Sequence, residues 1–141
     1  MVFLPFLLNG GASMLKRLEQ FREIEKNIRI QKAVILGKKE ILNKCYEEGL
    51  QGSVREFLES DYEKAKGTLT ELLLEQIRER QELEEVLCES IHDERIRSIM
   101  ILHYLQGQTL KDISKQFGLS YDYTKELNGN GRKVLSGMVT Q

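Results

Sequence analysis

The side chains with the clearest chemical potential lie near the carboxyl-terminal end of the chain, between residues 109 and 133. Basic side chains in this segment can bind phosphate groups, and polar side chains between them can hydrogen-bond to the edges of bases. The candidate DNA-binding residues are Lys111, Lys115, Ser120, Tyr121, Asp122, Lys125, Glu126, Arg132 and Lys133. Together they predict an interface for double-stranded DNA.

Phosphate contacts are expected from the two ends of this segment. Lys111 and Lys115 lie on the first of two predicted helices, and Arg132 and Lys133 follow the second. Ser120 stands just before the second helix, so it can cap that helix and offer its backbone N–H to a phosphate. Contacts of this kind position a protein on DNA without specifying a base sequence.

Base contacts are expected from the outward face of the second helix, because its inward residues occupy the opposite face. The outward residues are Tyr121, Asp122, Lys125 and Glu126. Two of the four are acidic, and a carboxylate that accepts from cytosine is a less common contact than arginine bound to guanine. The acidic pair therefore keeps a second hypothesis open, in which this surface docks on RNA polymerase or another regulator without reading DNA.

Residues 109–127 predict a helix-turn-helix that would hold these side chains. Gly118 can adopt the positive φ of the tight turn. Thr109 with Asp112 forms a capping box, and Ser120 is a natural N-cap for the second helix. The inward positions are Leu110, Ile113 and Phe117 on the first helix and Leu119, Thr124 and Leu127 on the second.

The run Asn128-Gly129-Asn130-Gly131 predicts the end of the second helix. Two glycines in a helix interior cost roughly 2 kcal/mol relative to alanine. We therefore expect the helix to end or fray near Asn128. A short last turn is expected around Lys133, Val134 and Leu135.

A further helix is predicted upstream, beginning at Ser90 or Asp93 and running to about Gln106. It is apolar on nearly all sides after Ser98, which indicates burial on more than one face. His103 lies within this apolar segment, and we expect it to be partly buried and hydrogen-bonded rather than functional.

Two long helical rods are predicted between residues 14 and 90. The first rod carries an apolar stripe with a seven-residue period, formed by Met14, Phe21, Ile28, Ile35 and Leu42 and supported by Leu18, Ile24 and Ile41. Residues 49–52 break the rod, and a capping box at 53–56 begins the second, whose stripe is Leu69, Leu73, Leu83 and Leu87. The rods would bury their stripes by folding back as a long antiparallel hairpin, like a coiled coil. Such a hairpin is a packing or dimerisation arm, which pairs within or between chains.

Residues 1–13 differ in character from the rest of the chain. Their apolar run is far shorter than the roughly 20 residues that a membrane-spanning helix needs, and they lack the basic region of a secretory signal. We interpret residues 1–13 as a tag or a misassigned upstream extension without fixed structure, with the native start at Met14. The predicted domains are then a helical hairpin arm over 14–92 and a helix-turn-helix domain over 93–141.

The composition favours an all-α fold, because 30% of the residues are charged, only one is proline, and no stretch alternates as a strand would. The net charge is −1, yet residues 93–141 carry seven basic and five acidic side chains, which fits a carboxyl-terminal part that touches DNA.

Cys45 and Cys88 form no zinc pattern with His92 and His103, so we expect no metal, no cofactor and a reduced, cytoplasmic protein. No nucleophile with a base, phosphate loop or catalytic carboxylate pair is found, which argues against an enzyme.

A family resemblance rests on a small set of motifs in the last third of the chain. These are Arg97 with Ile99 to Leu102, the Tyr104-Leu105-x-Gly107 helix end, Ile113-Ser114, Ser120-Tyr121, and Leu127-x-Gly129 with Leu135. The run IRSIMILHYLQGQTLKDISKQFGLSYDYTKEL resembles the fourth conserved region of bacterial sigma factors, the helix-turn-helix that reads promoter DNA. The chain is more closely similar to small phage and prophage proteins of Gram-positive bacteria, to which ArpU-type late-gene regulators are related. The resemblance implies a sigma-region-four-like domain after a helical half, and a phage-type transcription regulator that binds DNA as a dimer or beside RNA polymerase.

Overall fold

The computed structural model describes residues 13–137, and 87% of them are helical, with no strand among them. The helices are α1 (Met14–Glu47), α2 (Ser53–Ser90), α3 (Glu94–Met100), α4 (Leu110–Phe117) and α5 (Tyr121–Gly137). Helix α3 continues directly into a wider π-helical segment, Ile101–Leu105. The all-α expectation is confirmed for the described residues. The predicted extension lies outside them, except for Ser13.

Glycines and caps set the ends of these helices. Gly49 and Gly52 have positive φ values of 67° and 76° and separate α1 from α2. Asp93 caps α3, since its side chain accepts from the backbone N–H of Ile96 at 3.0 Å. Within residues 13–137, no helix is both long enough and apolar enough to cross a membrane.

The chain divides into two compact units. The central unit is Ile24–Gln76, and the terminal unit comprises the described residues of Met1–Glu23 and Ile77–Gln141. In the central unit α1 packs on α2 and buries Ile28, Leu42, Cys45 and Ala65. Two polar residues of α1 have partners on α2. Gln31 donates through Nε2 to the carbonyl of Ala65 at 3.0 Å, and Lys38 pairs with Asp61.

One residue of the predicted packed stripe lies elsewhere. The sequence pattern places Ile41 beside the packed residues of α1, and this prediction is wrong, because 54% of Ile41 is exposed. Successive residues of an α-helix are rotated by about 100°, so Ile41 points away from the face that its neighbour Leu42 buries against α2.

The terminal unit buries apolar residues of all five helices. Its buried residues include Leu18, Phe21, Leu83, Leu87, Ile99, Met100, Ile113, Leu127 and Leu135. Arg17 is buried with them, and its guanidinium is paired with the carboxylates of Glu79 and Glu82. A buried charge needs such partners, because desolvation without them is costly.

Helix α5 does not end near Asn128, so the predicted break is wrong: the helix continues to Gly137. Tertiary contacts outweigh the weak local propensity of this stretch. Asn128 is buried, and its Nδ2 donates to the hydroxyl of Tyr104 at 3.3 Å. Gly131 lies against α3, where a Cβ would overlap Met100 Sδ and lie 2.9 Å from Ile96 Cγ2. The missing side chain of Gly131 therefore lets α5 approach α3 closely.

Replacing Gly131 with alanine should lower the free energy of unfolding by about 1–3 kcal/mol, because Ile96 and the buried Met100 must move. Gly129→Ala is the matched control, since a Cβ there meets nothing within 4 Å. The control should raise the free energy of unfolding by up to about 1 kcal/mol through helix propensity. Urea unfolding followed by circular dichroism measures both. Equal effects of the two substitutions would contradict the close contact.

Candidate nucleic-acid interface

A short turn joins α4 to α5, and local chemistry fixes it as the sequence predicts. Gly118 has a left-handed conformation with φ of 67°. The backbone N–H of Leu119 then donates back to the carbonyl of Ser114 at 2.9 Å. Only glycine adopts this conformation without a steric penalty, so the chain can reverse here while the last carbonyls of α4 stay hydrogen-bonded.

The two predicted N-caps are confirmed. The Thr109 hydroxyl accepts from the backbone N–H of Asp112 at 3.1 Å, at the start of α4. The Ser120 hydroxyl accepts from the backbone N–H of Tyr123 at 3.1 Å, at the start of α5. Each bond satisfies a backbone donor that has no partner within its own helix, which defines where the helix begins.

The inward faces of α4 and α5 close on α3. Ile99, Ile113 and Leu127 form a buried cluster, with Leu110, Phe117 and Leu119 packed against its edge. Thr124 is fully buried, and its hydroxyl donates to the Ser120 carbonyl at 2.9 Å, so it adds no unsatisfied polar group. The predicted inward positions are therefore confirmed, and the opposite face of α5 is left open.

The first turns of α5 carry a small charged cluster on that open face. Lys125 Nζ lies 3.4 Å from Asp122 Oδ1 and 4.4 Å from the centre of the Tyr121 ring. Asp122 is 93% exposed and Lys125 49% exposed, so solvent screens the pair and the lysine can exchange partners at little cost. The structure thus brings together three of the four residues predicted to face bases.

The remaining candidates fall into two groups. Those at exposed positions are Lys111, Lys115, Ser120, Glu126 and Lys133. Arg132 differs, because its Nη1 donates to the Tyr104 hydroxyl at 2.7 Å and its Nη2 lies 3.7 Å from a carboxylate oxygen of Glu19. Both neighbours raise the pKa of Arg132, and the hydrogen bond to the Tyr104 hydroxyl has the largest effect. Its guanidinium ties α5 to the core of the terminal unit.

Tyr123 was not among the predicted site residues, yet it is exposed on the same turn of α5 as Asp122. Its hydroxyl and ring could contact a phosphate or a base at the edge of the interface. Helical spacing puts Tyr123 at the boundary between the inward and outward faces. The amphipathic pattern alone therefore did not assign it.

His103 is half-buried in the π-helical segment, as the sequence predicts. Its Nδ1 lies 2.7 Å from the carbonyl of Gln108, so this nitrogen carries the proton. Burial lowers the pKa of His103; the Gln108 hydrogen bond raises it, and the charges of Arg22 and Arg132 lower it further. The neutral ring is thus favoured in the folded protein.

No group of three or more His, Cys, Asp or Glu side chains among residues 13–137 is placed to hold a metal ion. Cys45 is a buried free thiol and Cys88 an exposed one. Comparison of the chain with protein-family models, with curated proteins and with solved structures gave no match. Its function is therefore inferred from its own residues and contacts.

The depressed pKa of His103 makes the stability of the terminal unit dependent on pH. An unfolded histidine titrates near pH 6.5, so between that pH and the lower folded-state pKa the unfolded chain binds more protons. The free energy of unfolding should therefore fall as the pH is lowered below about 6.5. His103→Gln should reduce this fall, whereas His92→Gln, at an exposed position, should not. Urea unfolding between about pH 5 and 8 measures it, and identical pH profiles of the two variants would contradict the assignment.

Proposed function

We propose that this chain is a phage-type transcription regulator that binds double-stranded DNA through α4 and α5, which act as a sigma-region-four-like helix-turn-helix. One observation carries the proposal. Two capped helices joined at the left-handed Gly118 bury their inner faces on α3 and leave the first turns of α5 exposed. A helix presented in this way can enter the major groove with its amino-terminal residues toward the bases.

In this proposal the exposed side chains have two roles. Tyr121, Asp122, Lys125 and Glu126 face base edges. Lys111, Lys115 and Lys133, with the backbone N–H of Ser120, contact phosphates, as does Arg132 if it exchanges Glu19 for a phosphate. The Tyr104 bond of Arg132 would keep its charge close to the carboxyl-terminal half of α5.

The long helices supply the arm of the regulator, an antiparallel hairpin. Contacts along it support that topology: Tyr46 bonds to Glu59, Lys38 pairs with Asp61, and Gln31 bonds to the Ala65 carbonyl. Residue numbers that decrease along α1 are thus paired with residue numbers that increase along α2, as in an antiparallel hairpin. We propose that this arm joins two copies in a homodimer and that the protein acts in the cytoplasm.

Direct DNA binding is tested by fluorescence titration of the full chain against DNA from upstream of its own coding sequence. Binding should weaken as salt rises, because phosphate contacts release counterions. Lys115→Glu should weaken binding to all sequences and lower the salt slope by about one.

Lys64→Glu is the matched control for that titration, since Lys64 is an exposed lysine of the central unit. It should leave the affinity and the salt slope unchanged. Absence of binding at low salt, or equal losses in the two variants, would exclude DNA recognition by this surface.

A second candidate function has its own supporting observation, the acidic outer face of α5. Asp122 is almost fully exposed, and Glu126 is exposed one turn later. Carboxylates in these positions repel phosphates but can pair with basic residues of a protein. In this alternative, the surface docks on RNA polymerase or another regulator without reading DNA.

Asp122→Asn separates the two functions. If α5 binds DNA mainly through phosphates, removing the carboxylate and releasing Lys125 should tighten binding by about twofold to fivefold. If α5 docks on RNA polymerase, the same change should weaken the retention of polymerase subunits in a pull-down. The fluorescence titration should then show no DNA binding. Glu85→Gln, at an exposed position of α2, is the control and should change neither readout.

A further inference from the structure

Helix α1 has a second apolar face, which no part of the central unit covers. Ile30, Val34 and Ile41 are 54%, 39% and 54% exposed. Together with Gly37 they follow the spacing i, i+4, i+7, i+11, which aligns them along one side of a helix. We call these four residues the exposed stripe. It is distinct from the face that buries Ile28 and Leu42 against α2.

The beginning of α2 carries another exposed apolar side chain. The pairs Tyr46–Glu59 and Lys38–Asp61 place Ile41 alongside the beginning of α2. Phe57 lies in that part of α2 and is 67% exposed. No other large hydrophobic side chain among the described residues is more exposed. A row of exposed apolar residues such as the exposed stripe is typical of an interaction surface.

We propose that a second copy of this chain packs on the exposed stripe, with the two α1 helices antiparallel about a twofold axis. The proposal specifies the interface of the homodimer proposed above. A twofold interface must be complementary to itself. The exposed stripe meets this condition, because Ile30 and Ile41 are equally distant from its midpoint between residues 35 and 36, and so are Val34 and Gly37.

An antiparallel pairing of the stripe places its one glycine against a larger residue. Ile30 lies against Ile41 of the second copy, and Val34 lies against its Gly37. A Cβ at Gly37 would meet nothing within 4 Å in the monomer, so the space beside it is open to a side chain from outside. A parallel pairing would place two glycines together and leave a gap, which costs packing energy.

Charges beside the stripe favour the same orientation. The flanking row with a seven-residue period contains Lys26, Ala33, Glu40 and Glu47, all exposed. When this row meets its own copy in reverse order, Lys26 faces Glu47 and Ala33 faces Glu40. Each like-charged pair is avoided, and the Lys26–Glu47 attraction occurs twice by symmetry.

The size of the stripe sets the expected strength. Asn27 and Lys44 occupy the next positions at its two ends, so the apolar contact covers about three turns of each helix. This is less than the roughly 800 Å² per partner of a standard interface. We therefore expect a reversible dimer that forms over a micromolar concentration range.

Sedimentation equilibrium of the full chain, from about 1 µM to about 1 mM, tests the interface without any DNA readout. The wild type should show a monomer–dimer equilibrium. Ile30→Glu and Ile41→Lys should each raise the dimer dissociation constant at least about tenfold, because each places charges in an apolar contact. The double variant Ile30→Glu/Ile41→Lys should regain dimerisation, since antiparallel pairing brings the opposite charges together.

Leu36→Glu is the matched control: Leu36 is 60% exposed on α1 but points to another side of the helix, so dimerisation should persist. Circular dichroism checks that each variant keeps its helices, and Ile41→Ala provides a neutral version of the test. A monomer throughout the concentration range would overturn the proposal, as would equal dissociation by Leu36→Glu. A double variant no stronger than the single ones would overturn the antiparallel orientation. DNA titration of the wild type is a separate measurement, so loss of either function is distinguishable from loss of the other.

Discussion

The close approach of α5 to α3 at Gly131 is the contact on which the terminal unit depends. Met100 and Ile96 fill the space where a side chain of residue 131 would lie. Only the glycine side of α5 can therefore face α3 here, which fixes the orientation of α5 about its own axis. That orientation brings Asn128 and Arg132 to the Tyr104 hydroxyl and Thr124 and Leu127 into the core. A helix is rigid over such a distance, so the same contact fixes which side chains of its first turns face outward. The candidate interface is therefore positioned from the far end of its own helix.

The sequence alone predicts those features whose chemistry is local. Thr109, Ser120 and Asp93 bond to backbone groups three residues away, and Gly118 determines its own turn, so residue type and order suffice. Features decided by distant contacts could not be predicted in this way. The glycines of α5 suggest a break unless Met100 and Tyr104 are known to lie next to them, and Ile41 can be assigned to a face only once α2 has a definite position. The exposed face of α5 was predicted because burial of its opposite face is a periodic property.

The charges of the candidate interface are distributed differently from the pattern that their residue types suggest. Lys125 is shared between Asp122 and the Tyr121 ring, whereas Arg132 is held by Tyr104 and Glu19. The first arrangement is open to solvent and weakly held, so an incoming phosphate or carboxylate competes for it easily. The second contributes to the packing of α5. Basic residues that look equivalent in the sequence therefore divide into those available to a ligand and one already engaged by the fold.

The π-helical segment that follows α3 holds one residue more than an α-helical turn would. In a π-helix the hydrogen bond spans five residues, as from Gln106 back to Ile101 at 3.2 Å. Loss of a single residue within this segment would leave an ordinary α-helical turn and keep α3 in its orientation. The same loss inside α5 would rotate every residue beyond it by about 100°, so Asn128 and Arg132 would not both meet the Tyr104 hydroxyl. Changes in chain length are therefore absorbed at the π-helical segment more readily than within α5.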